Sequence, residues 1–109
     1  MSQPDGSALD KLYAVIASRR GSDIAESYSA KLLAGGMPVI AKKLGEETVE
    51  TIIESLKGDG ARVAAESADL LYHLLVLWVA AEVSPQQVWR VLEARIGTSG
   101  LAEKAARNA

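Results

Sequence analysis

The chain has 109 residues, of which 49% are hydrophobic and 24% charged, and its formal net charge is -2. This length and composition are those of one small folded domain, and they exclude a disordered chain. The near-neutral charge and the lack of a basic stripe with aromatic residues argue against nucleic-acid binding. The absence of cysteine excludes disulfide bonds and thiol catalysis.

The N-terminal residues MSQPDGSALD lack the basic-then-apolar pattern of a secretory signal, and we expect residues 1–6 to be flexible. The longest apolar stretch, Leu70 to Ala81, contains His73 and is too short to span a bilayer. We therefore expect a cytoplasmic protein without membrane association.

Helical spacing of apolar residues, punctuated by glycine, predicts an all-α fold of about five helices in a single domain, residues 1–109. The first expected element is a helix capped by Ser7 and ending at Gly21, and a short helix over roughly 23–33 follows it. Three more helices are expected over 38–57, 60–83 and 85–96. Gly58 ends the first of these three, and Ser84 caps the last. The tail, residues 97–109, is glycine-spaced at first and then has room for a helical turn. Short connections make this an antiparallel helical bundle.

The fourth predicted helix carries apolar residues in nearly every direction around its axis, from Leu70 to Val79. Such a helix is normally buried on all sides, and a monomer of this length is too small to surround it. We therefore expect dimerisation, as a homodimer, to complete the core. Trp78 and Trp89 are interpreted as core or dimer-interface residues, and Tyr72 as a packing residue.

The third and fourth helices carry carboxylates in the order E-E-x-x-E and, after fifteen intervening residues, E-x-x-D. The residues are Glu46, Glu47, Glu50, Glu66 and Asp69. Residues three apart project from the same side of a helix, so these faces meet if the two helices pack antiparallel across the short KGDG turn. An all-oxygen ligand set suits Mg²⁺, or Mn²⁺, and Mg²⁺ is usually shared with substrate phosphates.

A wet charged face is the alternative for the first three glutamates taken alone, and we expect Glu54 to be solvated surface. His73 is the only histidine, and such a residue is more often a hydrogen-bonded core side chain than a ligand. Zinc and di-iron sites are disfavoured by the lack of cysteine and of Glu-x-x-His pairs. A real cation site predicts that one or more carboxylates have a raised pKa when the metal is absent.

The segments KKLGEETVETIIESLKGD and AAESADLLYHLLVLW closely resemble the phosphoribosyl-ATP pyrophosphohydrolase family of histidine biosynthesis, within the MazG-like all-α NTP pyrophosphatases. SYSAKLL upstream and GTSGLAEKAAR downstream resemble the same family, so the match runs from about Leu9 to Arg107. The chain looks like a stand-alone form, without the fused cyclohydrolase domain that some members carry.

The resemblance implies hydrolysis of the α–β phosphoanhydride of phosphoribosyl-ATP to phosphoribosyl-AMP and pyrophosphate, assisted by Mg²⁺. It assigns the superfamily's metal-ligand pattern to Glu47, Glu50, Glu66 and Asp69. Glu46, at the edge of that face, is the candidate for orienting or deprotonating the attacking water, or for holding a second ion.

Protein cations are expected to meet the transition-state charge. Lys43 is the best placed by spacing, because it shares a helical face with Glu47 and Glu50. The full set of candidates for substrate binding is Lys31, Lys42, Lys43, Arg62, His73, Arg95, Lys104 and Arg107.

Two other functions stay open at this point. A house-cleaning pyrophosphatase of the same superfamily would act on non-standard nucleoside triphosphates with the same metal face. A non-enzymatic helical dimerisation module would use the carboxylates only for solubility.

Overall fold

The structure is a computed structural model that describes residues 3–108, and within that range it is helical without strands, so the expected all-α fold is confirmed. Six helices follow one another: α1 (Ser7–Ser18), α2 (Tyr28–Gly35), α3 (Met37–Lys57), α4 (Gly60–Ala81), α5 (Pro85–Arg95) and α6 (Gly100–Asn108). Residues 1 and 2 of the segment expected to be flexible lie outside the described range, as does Ala109 of the tail.

The observed helix ends agree with those predicted from the sequence wherever a local cap defines the end. Gly58 ends α3 in the left-handed conformation, with φ of 77°, and Asp59 then caps α4 by accepting a hydrogen bond from the backbone N–H of Arg62. Ser84 caps α5, and Gln87 completes a capping box by bonding back to the Ser84 backbone. These caps place the α3–α4 and α4–α5 turns within two residues of their expected positions.

Three local expectations need correction. Ser7 is the first residue of α1 and not its cap, because the Asp5 carboxylate accepts hydrogen bonds from its backbone N–H and hydroxyl. α2 begins at Tyr28 and not near Asp23, because the Ser27 hydroxyl caps it and residues 23–27 form a turn. The tail holds a nine-residue helix, α6, instead of a single turn.

The core lies where α4 meets the first three helices. α3 and α4 form the most extensive interhelical contact, and α1 and α2 also pack on α4. The buried apolar cluster consists of Ile16, Leu32, Ile40, Leu75, Val76 and Val79. At the far end of α4, the Tyr13 hydroxyl donates to the Val83 carbonyl at 2.9 Å. This packing holds α3 and α4 in register as an antiparallel pair.

α4 as a whole is long and apolar enough, by length and composition alone, to cross a membrane. Its longest apolar run, Leu70 to Ala81, is shorter than a bilayer requires. The core helix of a soluble protein meets the same criterion. Two carboxylates, Glu66 and Asp69, lie within α4, and ionised groups are costly inside a bilayer. Its contacts with three other helices are those of a core helix.

The apolar face of α3 that points away from α4 is left uncovered by the chain. We call it the α3 apolar stripe, and its residues with their exposed fractions are Val49 (54%), Ile52 (52%), Ile53 (44%) and Leu56 (83%). On α4 itself Leu71 is also 40% exposed. One copy of the chain therefore does not enclose its own central helices.

Candidate functional site

The antiparallel α3–α4 pair brings the predicted carboxylates together. Glu47 of α3 and Glu66 and Asp69 of α4 each offer one oxygen, and these oxygens lie within 4.8 Å of one another. Glu50 adjoins this group, because its carboxylate interacts with those of both Glu47 and Glu66. Three of the four predicted metal ligands thus come together, with Glu50 next to them, and we call all four the carboxylate cluster.

Electrostatics within the carboxylate cluster are unfavourable. Burial, followed by the charge of Glu50, raises the pKa of Glu47, and the nearby His73 partly opposes this shift. Burial and then Glu50 likewise raise the pKa of Glu66, with smaller contributions from Asp69 and Glu47. The expectation that one or more of these carboxylates have a raised pKa agrees with the direction of the shift at Glu47 and Glu66.

Two oxygens of the carboxylate cluster have no partner. The Oε2 atoms of Glu47 and Glu66 are buried and accept no hydrogen bond within the described residues. A buried polar atom that is left unsatisfied destabilises the fold, and more so when it is charged. A divalent cation with oxygen ligands would satisfy both atoms and offset the repulsion, so the residues present fit Mg²⁺ or Mn²⁺.

Thr51 ties the two helices together beside the carboxylate cluster. Its hydroxyl lies 2.8 Å from the Glu47 carbonyl and 3.3 Å from the Glu66 carbonyl, so it can donate to either helix. Sequence reasoning missed this residue, although its position four after Glu47 places it on the same helical face.

His73 braces the carboxylate cluster from inside the fold. It is only 6% exposed, and its Nδ1 lies 2.8 Å from the Asp69 carbonyl. Because a carbonyl only accepts, Nδ1 donates this hydrogen bond, and Nε2 lies 3.3 Å from the Tyr28 hydroxyl. This is the hydrogen-bonded core histidine that the sequence suggested, and direct contact with substrate stays a prediction.

An aromatic group connects α2 to α4 at the same place. The rings of Tyr28 and Tyr72 are stacked, 6.1 Å apart and 18° from parallel, and Tyr72 also meets the edge of His73. The Tyr72 hydroxyl shares a hydrogen bond with that of Ser29. Tyr72 is therefore the packing residue that was expected, whereas Tyr28 is half exposed and was missed.

Glu54 differs from the expectation of a solvated surface residue. It is 8% exposed and one of its oxygens is 3.4 Å from Lys57 Nζ, while the other, Oε2, is buried without a partner in the described part of the chain. Glu54 lies seven residues after Glu47, which is two helical turns, so the two carboxylates share one face of α3.

The basic residues predicted to bind substrate lie in different parts of the fold. Lys31 and Lys43 line one cavity between α2 and α3, and Lys43 Nζ also lies 3.4 Å from a carboxylate oxygen of Glu46. Lys42 is exposed on α3, and Arg62 is placed toward Asp59, with Nε 3.9 Å from its carboxylate.

The tail cations lie on the last two helices. Arg95 ends α5, and Lys104 and Arg107 are exposed on α6, which packs only sparsely against the other described helices. A role for these three residues in substrate binding stays a prediction, as does the catalytic role of Glu46.

Fold and site together define an all-α protein with a candidate divalent-cation site built from carboxylates on two antiparallel helices. The sequence profile of the phosphoribosyl-ATP pyrophosphohydrolase family matches residues 9–96. The chain belongs to this family.

Curated relatives carry the name phosphoribosyl-ATP pyrophosphatase. The protein of that name from Parvibaculum lavamentivorans is 58% identical over 103 residues, which are 94% of this chain and 94% of the relative. The one from Azospirillum brasilense is 57% identical over 99 residues, 91% of this chain and 89% of the relative. A relative from Gluconobacter oxydans is 54% identical over 91% of this chain and 74% of its own length.

Proposed function

We propose that this chain hydrolyses the α–β phosphoanhydride of phosphoribosyl-ATP to phosphoribosyl-AMP and pyrophosphate, the second step of histidine biosynthesis, in the cytoplasm. The observation that carries the proposal is the carboxylate cluster, whose two buried oxygens lack a partner among residues 3–108, in a chain of this family. A triphosphate with a divalent cation is a ligand that such a group of carboxylates can hold.

Glu47, Glu50, Glu66 and Asp69 would hold Mg²⁺, or Mn²⁺, which when bound supplies neutralisation of phosphate charge and activation of water. Glu46 is exposed beside the carboxylate cluster and is our candidate for accepting the proton of the attacking water. In this step the water oxygen bonds to phosphorus, the bridging P–O bond breaks, and the leaving phosphate group takes the electron pair.

The residues around the carboxylate cluster position it. Thr51 joins the backbones of α3 and α4, and His73 fixes the α4 backbone at Asp69. Lys43 lies one helical turn before Glu47, so its ammonium group is suitably placed to bind a phosphate oxygen. These contacts keep the ligand oxygens close together before substrate arrives, which lowers the cost of organising them during the reaction.

We also propose that the active form is a homodimer in which the α3 apolar stripe packs against a second copy. The stripe residues are 44–83% exposed in the single chain. Four contiguous large apolar side chains on one helix face form a patch of the kind that marks protein interfaces. The stripe is on the same helix as Glu47 and Glu50, so association would also rigidify the metal-binding face.

The test is pyrophosphate release from phosphoribosyl-ATP, with and without Mg²⁺, by the natural chain and by Glu50→Gln. We expect Mg²⁺-dependent release that falls by at least about 100-fold in the variant, since ligand-sphere changes typically cost 10–100-fold or more. Glu93→Gln, an exposed carboxylate on α5, is the matched control and is expected to keep full activity.

Other outcomes would point elsewhere. Hydrolysis of non-standard nucleoside triphosphates without release from phosphoribosyl-ATP would identify a house-cleaning enzyme. No hydrolysis of either, with a dimer that is unaffected by Glu50→Gln, would leave a dimerisation module.

A further inference from the structure

A cavity of about 480 Å³ opens between α2 and the first two turns of α3, and we call it the α2–α3 pocket. Its volume is within the range of roughly 300–1,000 Å³ that is typical of small-molecule sites. Most of its wall is apolar, and its two cations are lysines; the residues that matter here are Ile24, Tyr28, Lys31, Leu32, Val39 and Lys43. This combination suits a ligand that has a flat apolar part and anionic groups.

Tyr28 provides the flat surface. The Tyr28 side chain is 50% exposed. Its hydroxyl lies 3.3 Å from His73 Nε2, and its ring stacks with that of Tyr72. An exposed aromatic ring that is held in position by two neighbours loses little freedom when a ligand stacks on it. Nucleobases stack on tyrosine in this way without needing specific hydrogen bonds.

Two residues that line the pocket, Tyr28 and Lys43, connect it to the carboxylate cluster. Tyr28 contacts His73, whose Nδ1 is bonded to the backbone of Asp69. Lys43 is four residues before Glu47 on α3, so the two side chains are neighbours on one helix face. A molecule that placed its phosphates at the cluster could therefore extend its next chemical group into the pocket.

We propose that the α2–α3 pocket binds the purine base of the substrate against Tyr28, with Lys31 and Lys43 meeting substrate phosphates, a proposal that rests on the proposed function. Phosphoribosyl-ATP carries phosphate on both sides of its purine, the triphosphate through one ribose and a single phosphate through the other. Lys43, beside the carboxylate cluster, faces the triphosphate side. Lys31, on α2, faces the ribosyl phosphate.

The first measurement is an amide NMR titration of the whole chain without divalent metal, using AMP and, in parallel, ribose 5-phosphate. We expect AMP to shift the amide signals of residues 24–35 and 39–43, and ribose 5-phosphate to bind about tenfold more weakly because it lacks the base. Equal binding of both probes would overturn the base platform, and shifts confined to other residues would overturn the pocket.

Variants of Tyr28 separate stacking from structural support. Tyr28→Phe keeps the ring and loses only the hydrogen bond to His73, whereas Tyr28→Ala loses the ring. We expect Phe to retain AMP affinity within about twofold, and Ala to weaken it about tenfold and raise the KM for phosphoribosyl-ATP similarly. Equal losses in both variants would show that the hydroxyl acts through His73 and would overturn the proposal.

Lysine variants test the phosphate contacts. Lys31→Ala is expected to weaken phosphoribosyl-AMP about tenfold and AMP by less than twofold, because only the former has a second phosphate. Lys11→Ala, an exposed lysine on α1, is the matched charge control. Equal effects of Lys31→Ala on both ligands would overturn the assignment of Lys31.

The two proposals fail in different ways. If the natural chain releases no pyrophosphate from phosphoribosyl-ATP, the proposed function is wrong whatever AMP does. If it does release pyrophosphate while Tyr28→Ala has unchanged KM and unchanged AMP affinity, only the pocket assignment is wrong.

Discussion

Replacing Ile52 by glutamate tests whether the α3 apolar stripe joins two copies of the chain. Ile52 is near the middle of the stripe and is 52% exposed in the single chain. The new side chain would be solvated in a monomer, so the fold of one chain is expected to survive. In a dimer it would be buried without a partner.

The magnitude follows from the exposed fractions. The four stripe residues, at 44–83% exposure, leave the equivalent of a little over two whole side chains uncovered. At about 1.5–3 kcal/mol per buried large apolar side chain, covering them stabilises a dimer by roughly 7–14 kcal/mol over both protomers. This is comparable with the ~4–15 kcal/mol cost of association, so the stripe supplies much of what a dimer needs, and other contacts supply the rest.

Ile52→Glu removes about half an isoleucine of burial, ~0.8–1.5 kcal/mol per protomer. It also buries an unpaired carboxylate, which costs at least ~1–3 kcal/mol. Counted for both protomers, this is roughly 4–9 kcal/mol, and the dissociation constant should rise by about a thousandfold or more.

The assay is light scattering after size-exclusion chromatography at micromolar concentration. The natural chain is expected at twice its 11.5 kDa mass and Ile52→Glu at the single-chain mass. Val91→Glu, 49% exposed on α5, is the matched control and is expected to stay dimeric. A monomeric natural chain, or a dimeric Ile52→Glu, would refute the reasoning.

Four further predictions concern stability. Glu66→Gln should raise the melting temperature of the metal-free protein, because it removes one repelling carboxylate. It should also abolish the increase in melting temperature that millimolar Mg²⁺ gives the natural chain. A lower melting temperature of the metal-free variant would contradict this prediction. The folded-state pKa values of Glu47 and Glu66 are raised, so their contribution to metal-free stability is present below the unfolded pKa and is lost as pH rises through the folded pKa. Urea unfolding in the presence of chelator should therefore show that the free energy of unfolding falls from mildly acidic toward neutral pH. The slope of this fall should be smaller in Glu66→Gln. Tyr13→Phe should cost about 0.5–1.5 kcal/mol in urea unfolding through the lost bond to Val83, with unchanged activity. Gly58→Ala should cost about 1–2 kcal/mol, since φ of 77° disfavours a Cβ, and no change would mean that the α3–α4 turn relaxes.

The sequence alone determined the parts of the protein that depend on neighbouring residues in the chain. The bounds of α3 and α5 were predictable because Gly58 and Ser84 define helix ends through backbone conformation and local hydrogen bonds. The carboxylates Glu47 and Glu66 could be expected on facing sides for a similar reason, since helical spacing assigns each to a face and a two-residue turn makes the helices antiparallel.

Only the tertiary structure decided which faces are covered. Glu54 looks like a surface residue in the sequence, yet it is buried, whereas the apolar Ile52 is left exposed. Tyr28 meets His73, and Lys31 lines the α2–α3 pocket, because α2 packs against both α3 and α4. Burial and the meeting of side chains from three helices depend on interhelical packing over long sequence separations, and a one-dimensional periodicity does not carry that information.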